Sequence, residues 1–268
     1  MAGKSIEDER TARRYLTAGQ RTVQGWLPDT AANIIVTLLR EQQRIGIRGG
    51  VCEIGVHHGR LFILLHLHSR TDERSLAIDL FENQAENVDR SGRGDREKLL
   101  ENIARHGGDL SRVELLAANS MHIAPEQIRS AVGPVRVFSV DGGHTADVTE
   151  HDLALAAASL CDGGLLILDD FFNERWPGVA EGACRFMFAN PGALTPVAIG
   201  GNKFVFARGN ATHYQRALHG EPSNAFGHPV ICVHTPSAKE RLVQTPLWKT
   251  IRKTRMGGWV RRTLAWLP

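Results

Sequence analysis

The chain has 268 residues, 42% apolar and 23% charged, an ordinary globular composition long enough to bury a core without staples. Its 32 basic and 29 acidic residues nearly cancel, which argues against nucleic acid as a partner. No run of about 18 apolar residues is present to span a membrane, and the charged opening stretch MAGKSIEDER reads as neither a secretory signal nor a transit peptide.

In chain order, a helical lead-in comes first. Ile34, Leu38, Leu39 and Ile45 share one face of a helix starting near Asp29 and Thr30, after Pro28. Short apolar runs then alternate with helical spacing. Strands are predicted over 51–56, 75–80, 113–117, 135–140, 165–168, 194–199 and 203–207. Helices are predicted over 60–68, 95–106, 125–132, 145–160 and 178–189. Such alternation specifies an α/β sheet of mostly parallel strands. Gly200, Gly201 and Asn202 join the last two strands at hairpin length, so one edge strand should run antiparallel. The expected organisation is a lead-in over 1–48, a core over 49–208 and an extension over 209–268. Cys52, Cys161, Cys184 and Cys232 form no C-x-x-C pair. Cys52, Cys161 and Cys232 lie beside apolar patterns and read as buried reduced thiols of a cytoplasmic protein.

The first strand runs into a turn with Gly55 and Gly59. Glycine there lets backbone approach a ligand, and the next helix offers free N–H groups. The spacing is G-x-x-x-G, with His57 where the dinucleotide fingerprint has its middle glycine. The second strand ends in Asp79, placed to accept both ribose hydroxyls of an adenosine-type ligand; the alternative is a solvated loop acid. Asn119 and Ser120, after the third strand, are suited to an adenine edge or to capping the helix that follows.

The fourth and fifth strands end in Asp141 and in Asp169–Asp170. In a parallel sheet these ends open on the same crevice as the glycine turn. Three ionised carboxylates need a counter-charge, and a divalent cation with hard oxygen ligands is the simplest one; helix capping is the competing role. His144, three residues past Asp141, is placed as a base for a hydroxyl. Phe171, Phe172 and Trp176 either stack on a sugar face or belong to the core.

The stretches EIGVHHGR, AIDLF, FSVDGGHTADVTEHDL and DGGLLILDDFF resemble class I S-adenosylmethionine-dependent methyltransferases. The resemblance is closest to the metal-dependent sugar O-methyltransferases of the macrocin type, and it covers residues 25–208. The D-G-x-H block, followed 28 residues later by D-D-F and then by W-P-G-V, is its most specific part. The resemblance implies a doubly wound, Rossmann-like seven-stranded sheet with the last strand antiparallel. It implies that Glu53, Gly55 and Gly59 lie along the methionine part of S-adenosylmethionine, that Asp79 binds the ribose, and that Asn119 and Ser120 border the adenine. Many relatives carry an acid where this chain has Asn119. It further implies that Asp141, Asp169 and Asp170 hold a magnesium-like ion, with His144 and Asp141 at the reacting centre. Catechol-type relatives carry Lys at the position of His144, so a sugar or glycan hydroxyl is the favoured acceptor, and a homo-oligomer through the N-terminal helices is expected.

Residues 239–262 contain eight basic side chains and one acid, Glu240, interleaved with Trp248, Ile251, Trp259 and Val260. This basic, Trp-bearing pattern suggests a peripheral membrane contact, or docking on the protein itself. Two other functions compete with methyl transfer. One is a NAD-type oxidoreductase, disfavoured by the missing glycine and the aspartate pair; the other is a non-catalytic cofactor-binding module.

Overall fold

The strands at the centre of the sheet are buried, as apolar runs of this kind require. In chain order the strands are β1 (Gly50–Ile54), β2 (Ser75–Asp79), β3 (Val113–Ala117), β4 (Val135–Val140), β5 (Leu160–Asp169), β6 (Thr195–Gly200) and β7 (Lys203–Ala207), followed by β8 (Glu221–Ala225) and β9 (His228–Cys232). The computed structural model describes residues 5–234. All nine strands form one sheet in the order β3-β2-β1-β4-β5-β7-β6-β9-β8. Strands β1 to β5 pair in parallel.

The hairpin differs from expectation in its place. β7 is antiparallel to both neighbours and is inserted between β5 and β6, so it is not an edge. Its two-residue turn, Gly201 and Asn202, has φ of +58° and +66°, the left-handed pair that a tight hairpin of this kind requires. The sheet also extends past the expected boundary at residue 208. β9 adds in parallel to β6 and β8 pairs antiparallel to β9, which raises the count from seven strands to nine. Their sequences, EPSNA and HPVIC, lack the apolar alternation of a strand. β8 is almost wholly exposed and carries Pro222, which an edge strand tolerates. β5 begins earlier than predicted because Leu160 already pairs with Val135 before a bulge that contains Gly163 and Gly164.

Helices cover both faces. Strand side chains alternate sides, so Val51, Val137, Leu165, Ile167 and Val205 pack with helices α1 (Ile6–Thr17), α2 (Asp29–Arg44), α3 (Arg60–Leu67), α4 (Arg96–Arg105) and α8 (Thr212–Ala217). Cys52, Ile54, Phe138, Leu166, Leu168, Phe204 and Phe206 pack with α5 (Pro125–Val132), α6 (Ala146–Ser159) and α7 (Pro177–Ala189). Each such side chain contributes about 1.5–3 kcal/mol by leaving water. α1 starts from a capping box in which Ser5 and Asp8 satisfy each other's backbone N–H, and Tyr15 on this helix donates to the Arg60 carbonyl at 2.7 Å.

All four cysteines are free, but only Cys52 is buried; Cys161, Cys184 and Cys232 are half-buried. Among the described residues no helix is long and apolar enough to cross a membrane. The basic tail over 239–262 lies outside the described residues.

Candidate active site

The carboxyl ends of β1, β2, β4 and β5 open on a cleft of about 690 Å³. Gly55 lines it and is constrained from below as well. Its φ is +80°, and a Cβ there would lie 1.7 Å from the Asp141 carbonyl oxygen. Glycine is needed so that β1 and β4 can meet under the cleft floor. Gly59 has φ +90° and caps α3, with its missing side chain facing Leu99 rather than the cleft.

Glu53 is buried at the end of β1, and its Oε2 has no partner in the protein. Burial, reinforced by Asp141, Asp169 and Asp79, pushes its carboxyl well above the ordinary range, against the pull of Lys203. Asp79 accepts from the backbone N–H of His57 at 2.8 Å and of Phe81 at 2.9 Å. These bonds fix both carboxylate oxygens at the rim of the cleft and leave each a further lone pair. Asn119 caps the short turn of residues 120–122 by accepting from the Met121 N–H at 3.1 Å, and Ser120 beside it is buried. Both line the cleft. The cap made by Asn119 serves this turn and not α5, which begins at Pro125.

Asp141 neighbours both Asp169 and Asp170, but the two have different partners. Asp169 is buried, and the Lys203 ammonium contacts its Oδ2. Its Oδ1 accepts from Asn202 at 3.1 Å and from the Asp170 N–H at 2.9 Å. Lys203 is only 1% exposed and lies 3.9 Å from Asp141 Oδ2. Burial works against the ammonium, but Asp169, Asp141 and Glu53 outweigh it and hold the Lys203 pKa above its ordinary value. Burial and the nearby Asp169 push Asp141 well up. The counter-charge assigned to a metal is thus partly supplied from within the chain. Antiparallel register places Lys203, first in β7, opposite Asp169, last in β5. That pairing was in reach once the hairpin was recognised.

His144 has two carboxylate neighbours. Asp89 Oδ2 accepts from its backbone N–H at 2.6 Å and lies 2.7 Å from Nδ1; Asp170 Oδ2 lies 3.1 Å from Nε2. The Ser91 hydroxyl is 3.1 Å from Nδ1, and the Trp176 ring stacks on the imidazole at 4.2 Å. Burial opposes the imidazolium, yet the bonds to Asp170 and Asp89 raise the His144 pKa to about 9. Burial likewise opposes both carboxylates, but Ser91 and His144 bring Asp89 down to about 2, and His144, Asn173 and Asn202 bring Asp170 down to about 2. Asp89 comes from the polar segment between β2 and α4, where no sequence pattern marked it. Phe171 packs in the core against Phe204, Phe172 is exposed and does not line the cleft, and Trp176 does line it.

Asp141, His144 and Asp170 each bring one ligand atom within 4.8 Å of the others. Asp169 stands outside this set, with the Lys203 ammonium against its Oδ2. This cluster could hold a cation, with Asp169 beside Asp141 at its edge.

An antiparallel seventh strand in a mostly parallel sheet, with its cleft at the strand ends, defines the class I methyltransferase fold. Residues 52–171 match the family model described as a methyltransferase domain. The O-methyltransferase NovP shares 13% identity, covering 75% of this chain and 99% of its own, with a TM-score of 0.59. An O-methyltransferase, itself only assigned as such, from Klebsiella pneumoniae shares 19% over 77% of this chain and 91% of its own, TM-score 0.50. CalS11, a TDP-rhamnose 3'-O-methyltransferase of calicheamicin biosynthesis, shares 16% over 78% and 97%, TM-score 0.50. At these identities the likeness is one of fold. No curated protein matches the chain by sequence.

Proposed function

We propose that the protein is an S-adenosylmethionine-dependent O-methyltransferase acting on a hydroxyl of a sugar or glycan. The observation that carries this reading is the Asp89–His144–Asp170 array beside a cleft that also holds Glu53 and Asp79. The cofactor suits the donors present. The unpartnered Oε2 of Glu53 fits a cationic amino group, and Asp79 at the end of β2 fits a ribose diol. When bound, S-adenosylmethionine supplies a methyl group on a sulfonium. The acceptor oxygen takes that methyl in line, the C–S bond breaks to leave a neutral thioether, and the hydroxyl proton passes to His144 Nε2. Asp89 holds Nδ1, fixing the ring so that Nε2 faces the cleft. Lys203 keeps the charge of Asp169 and Asp141 from accumulating under the acceptor. The sugar assignment draws on the stated substrate of CalS11 and is a proposal here.

A second reading is favoured by the convergence of Asp141, His144 and Asp170. Asp89 on Nδ1 is the outer partner that a metal-ligating histidine needs. A divalent cation there would act as a Lewis acid on the hydroxyl, and His144 would be a ligand and not a base. A mixed oxygen and nitrogen donor set suits manganese as well as magnesium.

The test is transfer of labelled methyl from S-adenosylmethionine to a panel of nucleoside-diphosphate sugars and sugar phosphates, with and without EDTA. Transfer that survives EDTA supports His144 as base. Transfer lost in EDTA and restored by magnesium or manganese supports the cation. No transfer to any hydroxyl, together with no cofactor binding, refutes the function.

A further inference from the structure

Asp169 ends β5 and Asp170 follows it directly. Along a strand, neighbouring side chains point to opposite faces of the sheet. Asp170 escapes that alternation. Its φ is +61°, a left-handed conformation that a residue with a side chain keeps only where its surroundings fix it.

The fixing groups come from the β6–β7 turn and from the loop after β5. The Asp170 N–H donates to the Asn202 carbonyl at 3.2 Å and to Asp169 Oδ1 at 2.9 Å. The side-chain amide of Asn202 donates to Asp169 Oδ1 at 3.1 Å and also to Asp170 Oδ1. Asn173 Nδ2 donates to the same Asp170 oxygen at 2.8 Å. A carboxylate oxygen has two lone pairs. Asn202 and Asn173 therefore occupy Asp170 Oδ1, and the oxygen left is Oδ2, 3.1 Å from His144 Nε2. One amide with two N–H groups spans both carboxylates, so Asn202 sets how the pair is turned. Asparagine suits the position twice over. It tolerates the φ of +66° and it carries the donors, whereas glycine would meet only the first need.

We propose that Asn202 is a positioning residue for a divalent cation at the Asp141–His144–Asp170 cluster: by holding Asp170 Oδ1 it leaves Oδ2 as the one oxygen through which Asp170 can ligate. This inference rests on the reading that the cluster takes a cation. Asn202 then acts through Asp170, as the outer partner that orients a ligating carboxylate.

The test is titration of the full chain with manganese(II) in wild type, Asn202→Gly and Asp170→Asn, read by the electron paramagnetic resonance signal of the free ion. Glycine keeps the left-handed turn and removes only the amide. Wild type is expected to bind manganese saturably and Asp170→Asn to lose it, which locates the ion at the cluster. Asn202→Gly is expected to weaken manganese by roughly 10- to 100-fold, the usual effect of removing the outer partner of a ligand. Its S-adenosylhomocysteine affinity, measured by calorimetry in EDTA, should stay within about twofold of wild type, which also reports that the variant is folded. Manganese bound equally well by Asn202→Gly would show that Asp170 needs no such hold. Parallel losses of manganese and S-adenosylhomocysteine would show that Asn202 only builds the turn. Either overturns the inference, as would manganese binding that survives Asp170→Asn and so lies elsewhere. Wild type that binds S-adenosylhomocysteine but no manganese would overturn the cation reading and this inference with it, and would leave the methyltransferase reading standing.

Discussion

Replacing Lys203 by methionine keeps length and apolar volume but removes the ammonium that sits against Asp169 and 3.9 Å from Asp141. Lys203 is 1% exposed and Asp169 6%, so water does not take over the lost contact. Removing one partner of a buried ion pair costs about 3–5 kcal/mol, because the remaining charge is uncompensated. For a unit of this size about 1 kcal/mol corresponds to roughly 2–4 °C in Tm, so Lys203→Met should melt about 6–20 °C below wild type at pH 8. The deficit should shrink on acidification. Without Lys203 the carboxyl of Asp141, already raised by burial and by Asp169, is raised further in the folded state. A group raised on folding adds stability at pH below its unfolded value and loses it as pH rises through the folded value. The variant should therefore lie closer to wild type at pH 5 than at pH 8. Lys203→Met combined with Asp169→Leu removes the orphan charge and should recover most of the loss. Thermal or urea denaturation of the three proteins at both pH values measures this. A single variant within 2 °C of wild type at pH 8 (a bound well under the roughly 6 °C expected), or a double variant no better than the single, would refute the reasoning.

If His144 is the base, turnover needs its neutral form, so kcat/KM should rise with pH on a limb centred near pH 9. Asp89→Asn should move that limb down, and a flat profile between pH 6 and 9 would exclude the assignment. The same array makes stability pH-dependent. The contribution of His144 is complete below its unfolded value near 6.5 and is lost as pH rises through about 9, so the deficit of Asp89→Ala should be larger at pH 6 than at pH 10. Gly55→Ala would place a methyl 1.7 Å from the Asp141 carbonyl and strain a φ of +80°. It should cost more than about 1 kcal/mol in denaturation and weaken S-adenosylhomocysteine by displacing β4. Arg136, fully buried at the far end of β4, bonds Glu73 at 3.0 Å and Gln42 at 2.8 Å. Arg136→Met should lower Tm while leaving S-adenosylhomocysteine affinity unchanged.

Much of the core was readable from apolar runs, because strands buried on both faces write themselves as continuous Val, Ile and Leu. The strand-end carboxylates were readable for the same reason: Asp79, Asp141 and Asp169 each interrupt such a run. What a polar residue does after the interruption depends on partners distant in sequence. The Lys203 partner of Asp169 is not legible locally, because it reaches that carboxylate only through the antiparallel register of β5 and β7. Asp89 lies in a segment without periodicity and becomes significant only where that segment meets His144. At Gly55 the sequence pattern shows a glycine turn but not the close contact with the Asp141 carbonyl that also demands one. β8 and β9 escaped because an exposed edge pair has little apolar pattern to show.

The claim on which the rest depends is that the cleft formed by Glu53, Asp79 and His144 takes an S-adenosyl ligand. Calorimetry of the wild-type chain against S-adenosylhomocysteine and NAD tests it most directly. Saturable one-site binding of S-adenosylhomocysteine, abolished by Asp79→Ala and absent for NAD, is the predicted result. Binding of NAD in its place, or heat from neither ligand, would contradict the account.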